Sequence, residues 1–310
     1  MKKCLGLIVL MIMLLLQFAC NNDPTFFHVR SEDQLSQLIS DDERKQQIET
    51  LEIEGVAKIP DEAFMECKNL RELVLGDSVR IIGMSAFNGC ENLSIIKWPA
   101  ELEQIGELAF ARTEIKELSF PQTCRIEINT FAFSFCNSLE TVTMGNEVVH
   151  VDCAFYSCSA LKKVVFPSRI RIIGAEECAR CDSLMELRFP KSVEFIDAGP
   201  ANHSGVERII FEGSPIAVCG LITTLDDYPN LNEIIFLEGP PQQDEQQAEL
   251  ADLEYAPELP FYMGDRRVEL RYLSAYRDLW SPNGETTWHG FPLVECGTID
   301  ELLGYEGTVR

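Results

Sequence analysis

The chain has 310 residues, of which 46% are hydrophobic and 25% charged, the composition of an ordinary folded protein. Acids outnumber bases 50 to 26, for a net charge of −24. A phosphate backbone or an anionic membrane surface needs clustered Lys and Arg, so the charge argues against nucleic acid as a partner and serves mainly to keep the surface soluble.

The N-terminus reads as a targeting segment. Lys2 and Lys3 form a basic start, and Leu5 to Phe18 is then free of charge, with Gln17 its one polar side chain. A bilayer-spanning helix needs about 20 apolar residues, so this shorter run fits a secretory signal. It ends at Phe18-Ala19-Cys20, which resembles the lipobox of bacterial lipoproteins, where the Cys is acylated and becomes the mature N-terminus. Gln17 departs from that pattern, which usually has Leu three residues before the Cys. The expectation is a signal peptide over 1–19, lipidation at Cys20, and export to the bacterial cell envelope, at the outer membrane or cell surface, with a lipid anchor as the only membrane contact. The alternative is an ordinary cleaved signal with an incidental cysteine. Residues 20–47 then form a tether and an N-terminal cap. Ser31 and Gln34 make a capping box, and Leu35, Leu38 and Ile39 share one face of the helix it starts. Such a helix would cover the end of whatever follows.

From Ile48 to about residue 240 the chain repeats itself. An L-x-x-L-x-L signature opens at Ile48, Leu70, Leu93, Ile115, Leu139, Leu161, Leu184, Val206 and Leu231, at intervals of 22 to 25 residues. This period means a solenoid, in which each unit buries its apolar side only against its neighbours. Counting from the opening residue i, positions i+3 and i+5 share one face of a strand, and i+2 and i+4 face the other way. Leu161, Val164 and Phe166 are one apolar set, and Leu184, Leu187 and Phe189 another. Pro99, Pro121, Pro167 and Pro190 end their strands, because proline cannot donate to a ladder. The second half of each unit is clearest at Ile82-Gly83-x-x-Ala86-Phe87-x-x-Cys90; its spacing predicts one helical turn with Phe and Cys buried.

Units of about 23 residues with L-x-x-[IVL]-x-[FW]-P followed by I-G-x-x-A-F-x-x-C resemble the BspA-like leucine-rich repeats of bacterial surface and secreted proteins, often lipoproteins. The likeness covers residues 48–240 and decays at Ala198-Gly199-Pro200-Ala201 and Val218-Cys219-Gly220. It implies an α/β fold: a right-handed β/α leucine-rich repeat solenoid with one parallel sheet and capped ends. It also implies adhesion or protein binding without a shared catalytic residue set. After the ninth strand, residues 241–260 read as an acidic Gln/Pro loop. Residues 261–310 resemble a C-terminal cap, with a strand at Val268-Glu269-Leu270, a short helix from Ser274 to Trp280, and Trp288 and Phe291.

Twelve cysteines invite a disulfide or zinc reading. Cys67, Cys90, Cys136, Cys158 and Cys181 recur at the repeat period, which the stacking of small buried side chains explains. Export favours bridges, but side chains in one column point in parallel, and that geometry is expected to leave most thiols free. Cys178-x-x-Cys181 has half of a zinc-knuckle spacing and lacks the second half. The histidines are scattered, and no G-x-S-x-G, Walker or H-E-x-x-H pattern occurs. The expectation is therefore no catalytic residues, no metal and no cofactor. What remains is the outward strand face, roughly 38 Å along the stack at ~4.8 Å per strand. On it, Val165, Glu186, Arg188, Arg208 and Ile210 lie on adjacent strands, and exposed apolar residues beside Arg suit an interface. These five are the candidate ligand-binding residues, for a protein or polysaccharide outside the cell. The alternative function is an envelope structural or accessory subunit that docks onto a partner of the same cell through its C-terminal cap and acidic loop.

Overall fold

A computed structural model describes residues 23–303 apart from 123–124, 149, 152, 197–198, 216, 219–227, 241–267 and 289–290. The expected signal peptide, Cys20 and the 241–260 loop lie outside the described residues.

The L-x-x-L-x-L segments form strands, stacked in parallel and in register. They are β2 (Thr50–Ile53), β3 (Glu72–Leu75), β4 (Ile95–Lys97), β5 (Glu117–Ser119), β6 (Thr141–Thr143), β7 (Lys163–Val165), β8 (Glu186–Phe189), β9 (Arg208–Phe211) and β10 (Glu233–Phe236). Equivalent residues face each other: Thr141 pairs with Lys163, and Glu186 with Arg208. The i+3 side chains Leu51, Leu73, Leu118, Val142, Leu187, Ile209 and Ile234 are buried. Hydrogen-bonded pairing is interrupted between β4 and β5 and again between β7 and β8. The expected single sheet is accompanied by a second parallel ladder of two-residue strands. It runs through Lys58–Ile59, Ile81–Ile82, Gln104–Ile105, Glu127–Ile128 and His150–Val151, and resumes at Ile172–Ile173. The Ile of Ile-Gly is therefore a strand residue. Its Gly lets adjacent coils touch: a Cβ on Gly106 would lie 2.7 Å from Gly83 C and Met84 N.

The Ala-Phe-x-x-Cys segments differ from the expected helical turn. Each is a turn with two left-handed residues four apart, such as Leu108 (φ 55) and Arg112 (φ 60), or Phe131 (φ 58) and Phe135 (φ 59). Alternate amides bond onward to the next coil: Ser85 N–H to Glu107 O, Phe87 N–H to Ala109 O, and Gly89 N–H to Ala111 O, at 2.8–2.9 Å. Amides between them close back three residues, as Asn88 N–H does on Ser85 O. Pitch is the physical reason. These coil-to-coil bonds hold the turn segments at the strand spacing of about 4.8 Å, whereas a helix, about 10 Å across with its side chains, would force the coils to fan apart on that side. The repeats thus build a β-solenoid with few helices.

Two aromatic columns run through the core. Phe64, Phe87, Phe110, Phe133 and Phe155 stack ring on ring, with centroids 5.2–5.9 Å apart. The strand-end column enlarges from Ile53 and Leu75 to Trp98 and Phe120, which meet Phe110 and Phe133 edge to face, and is aromatic at Phe166, Phe189, Phe211 and Phe236, where Cys178 and Ala201 replace Phe in the first column. These last four rings stack in turn at 4.5–5.9 Å. In the later coils these rings offset the volume that the first column loses at Cys178 and Ala201. The cysteine column has its own role. The thiols of Cys90, Cys136, Cys158 and Cys181 each donate to the Phe carbonyl of the preceding coil, at 3.1–3.3 Å. A small, apolar, weakly donating side chain suits a buried carbonyl there. These thiols, with Cys67 and Cys178, are free and buried.

Both ends are covered. At the N-terminus β1 (Phe26–Val29), in the segment expected to form the tether, pairs with β2. Helix α1 (Glu32–Ile39) follows, with Ser31 accepting from Gln34 N as the capping box requires and Leu35 and Leu38 buried; α2 (Asp42–Lys45) completes the cap. At the C-terminus β11 (Glu269–Leu273) extends the sheet from β10, and β12 (Phe291–Cys296) pairs with β11. Between them, α3 (Arg277–Trp280) carries Trp280 onto Phe236 and Tyr272, at 4.9 and 5.8 Å. Helix α4 (Ile299–Leu302) follows β12, with Thr298 as its N-cap.

Candidate ligand-binding surface

The outward columns of the strand face mix charged and polar side chains with apolar ones such as Ile95 and Val165, and many of their charges are paired. Carboxylates and cations pair from one coil to the next: Lys97 with Glu72 at 2.9 Å, and Lys162 with Glu140 at 2.7 Å. The Lys162 ammonium beside it holds the Glu140 carboxyl below its usual range. Solvent screens such exposed pairs, so they set spacing and solubility more than stability.

The interruption between β7 and β8 opens a groove of about 450 Å³ on this face. Val165 and Lys163 line it from β7, Glu186 and Arg188 from β8, and Ser168 and Glu212 from the loops that follow strands. Val165 is 38% exposed. The Arg188 guanidinium sits between two carboxylates, donating to Glu186 Oε1 at 3.4 Å and to Glu212 Oε1 at 3.3 Å. Beyond Glu186 a second depression of about 360 Å³ is lined by Met185, Glu207, Arg208, Asn232 and Glu233. Three of the five expected residues, Val165, Glu186 and Arg188, thus share one groove, and Arg208 lies in the next. Glu212 and Ser168 were missed because they sit outside the alternating columns.

Ile210 is a correction. It is fully buried, packed with Ile235, Cys296, Leu302 and Leu303. Helix α4 lies on the outward face of β9 to β11 and covers it. Arg208 is correspondingly structural: it donates to Glu233 Oε2 at 2.9 Å and to the Leu303 carbonyl at 3.1 Å. Arg271 donates to the Glu301 carbonyl at 2.9 Å. Two arginines therefore satisfy the carbonyl end of α4, where cations are favoured. About ninety residues separate Ile210 from α4, and an alternating pattern carries no record of a cover supplied from so far away.

At the N-terminal edge His28, Glu52 and Glu54 converge, with one donor atom each within 4.8 Å of the others. The Arg30 guanidinium lies against both ring nitrogens, at 3.0 and 3.3 Å. The Arg30 guanidinium adds a cation beside the two carboxylates of this cluster. The groove offers charge-paired carboxylates, a guanidinium and an apolar wall, which suits reversible recognition of a polar chain with some apolar surface.

Parallel strands at a 22–25-residue period, with a leucine-type core column, define a leucine-rich repeat solenoid. Residues 57–153 and 125–202 match the BspA type leucine rich repeat region, in six copies. Among solved structures, the chain is similar to a leucine-rich repeat protein from Bacteroides ovatus at 19% identity, covering 81% of this chain and 75% of that one, with a TM-score of 0.46. It is also similar to the pneumococcal vaccine antigen PcpA, at 16% identity over 82% of this chain and 78% of that one, TM-score 0.38. A leucine rich cell surface protein from Faecalibacterium prausnitzii matches at 17% identity over 73% and 85%, TM-score 0.34. No curated protein matches the chain. Among the described residues, no helix is long and apolar enough to cross a membrane.

Proposed function

We propose that this chain is a lipid-anchored, extracytoplasmic binding module that holds a protein or polysaccharide ligand outside the cell, in the groove between β7 and β8. The observation that carries the reading is that groove, at one of the two breaks in the strand ladder, with an apolar wall at Val165 and a guanidinium at Arg188. Repeat solenoids work through extended surfaces of this kind rather than through enclosed catalytic pockets. Export rests on the basic start and apolar run before Cys20, and anchoring rests on Ala19-Cys20. The surface description of the Faecalibacterium protein agrees with it.

The test is a pull-down of extracellular matrix proteins and cell-wall polysaccharides with the purified chain, beside a Val165→Asp, Arg188→Ser double variant. Arg208 is left intact because it holds α4. Capture that the double variant abolishes supports the reading, and capture that survives it refutes the groove. Metabolic labelling with a fatty-acid probe is expected to mark the wild type and not Cys20→Ala; equal labelling refutes the anchor.

A further inference from the structure

The turn segments of four consecutive coils carry a cluster unlike the paired charges of the strand face. The Arg112 guanidinium lies over the Phe135 ring at 5.9 Å, and that of Arg180 lies over the Tyr156 ring at 5.9 Å. Between the two arginines the rings meet edge to face: Phe135 with Tyr156 at 5.8 Å and 71°, and Phe131 with Tyr156 at 5.6 Å and 78°. Phe135 is 41% exposed, and both arginines are exposed. Ala111, Ser134 and Ala179 are buried in the same turns, so the large side chains stand up from a floor of small ones. The position also repeats. Arg112, Phe135 and Arg180 each hold the left-handed conformation just before the cysteine-column residue.

Charge distinguishes the cluster from its surroundings. Of the other eleven described arginines, eight have a carboxylate within 4 Å, while Arg30, Arg44 and Arg125 have none among the described residues. Arg112 and Arg180 have none among the described residues, although the chain carries 50 acids. Two unneutralised guanidinium groups, held apart by an exposed aromatic ridge, have the composition of an interface hot spot.

We propose that this ridge docks an acidic segment of a partner polypeptide, with two carboxylates on Arg112 and Arg180 and apolar side chains between them on Phe135 and Tyr156. The geometry disfavours a neutral sugar, which needs an open ring face to stack on: the guanidinium groups cover one face of Phe135 and one of Tyr156, and the rings lie at steep angles to one another. What points outward is N–H donors and ring edges, which carry partial positive charge. The spacing fits a peptide. Three coil intervals at ~4.8 Å span about 14 Å, and carboxylates four residues apart on an extended chain, at ~3.3 Å per residue, span about 13 Å. This surface is separate from the strand-face groove, and either can fail without the other.

The test is selection of a random phage-displayed heptapeptide library on the full chain, purified in mild detergent, followed by fluorescence anisotropy with the enriched peptides. Enriched peptides are expected to carry Asp or Glu at i and i+4 around apolar residues, and to bind more weakly as salt rises. Binding should fall at least tenfold in an Arg112→Glu, Arg180→Glu double variant and in Phe135→Ser. Both variants place residues that this left-handed column already holds, Glu66 and Ser157, and circular dichroism checks their folding. Enriched peptides without acidic residues, equal binding to the double variant, or no enrichment would overturn the proposal. So would polygalacturonate binding more tightly than any selected peptide and being lost in the double variant, which would make a polysaccharide the occupant. Self-association by light scattering that the double variant abolishes would do the same for a second copy of the chain.

Discussion

Truncating Phe110 to alanine tests whether the aromatic column holds the coils together. Phe110 is fully buried and has three ring partners: Phe87 at 5.2 Å, Phe133 at 5.5 Å and Trp98 at 5.3 Å. Phe64, equally buried at the start of the column, has among the described residues one ring partner, Phe87 at 5.5 Å. Removing a buried Phe side chain costs about 3–5 kcal/mol through lost transfer energy and the cavity left behind. That part is common to both sites. Each aromatic pair adds about 0.5–1.5 kcal/mol beyond area burial, so two extra pairs make Phe110→Ala about 1–3 kcal/mol worse than Phe64→Ala. Nearest-neighbour coupling sharpens the contrast, because a defect in mid-array weakens two coil interfaces and a defect at the end weakens one. The assay is equilibrium urea unfolding followed by far-UV circular dichroism, with the slope checked for constancy between variants. Equal losses at the two sites, or a loss below about 2 kcal/mol at Phe110, would refute the column as a source of stability beyond simple burial.

Two further outcomes follow from the core. Burial pushes the Cys67 thiol up to about 11 and the Cys181 thiol up to about 12, against an ordinary value near 9. Above pH 9 the unfolded chain loses these protons while the folded chain keeps them. Their contribution is therefore complete below about pH 9 and declines as pH rises toward 11–12, by about 1.4 kcal/mol per pH unit for each thiol. Urea midpoints measured from pH 8.5 to 10.5 should fall less steeply in Cys67→Ala than in the wild type, and parallel slopes would remove thiol ionisation as the cause. Gly106→Ala should cost about 1–3 kcal/mol, since its Cβ would press on the backbone of the preceding coil at 2.7 Å. Gly297→Ala, whose Cβ would meet only the flexible end of Glu301 at 3.3 Å, is the control in the same unfolding assay.

The repeat starts at Ile48 through Leu231, the strand columns and the buried Phe and Cys columns were all legible in the sequence. Each depends on neighbours at a fixed period, and a solenoid maps sequence separation directly onto spatial contact. The capping box at Ser31 and Gln34 was legible for a similar reason, since its bonds span a few residues. The helical reading of Ala-Phe-x-x-Cys failed because one turn of α-helix and a turn with two left-handed residues bury the same side chains. Only the 4.8 Å pitch shared with the neighbouring coils decides between them. Val165, Glu186 and Arg188 could be placed on the outward face by alternation alone, but the groove they line exists because the ladder opens between β7 and β8. Ile210 obeys the same alternation and is nevertheless buried, because α4 returns from the far end of the chain to lie over it. Periodicity therefore determined which side of each strand faces out. Whether that side meets solvent, a groove or another part of the chain was decided by contacts between segments far apart in sequence, which no local pattern encodes.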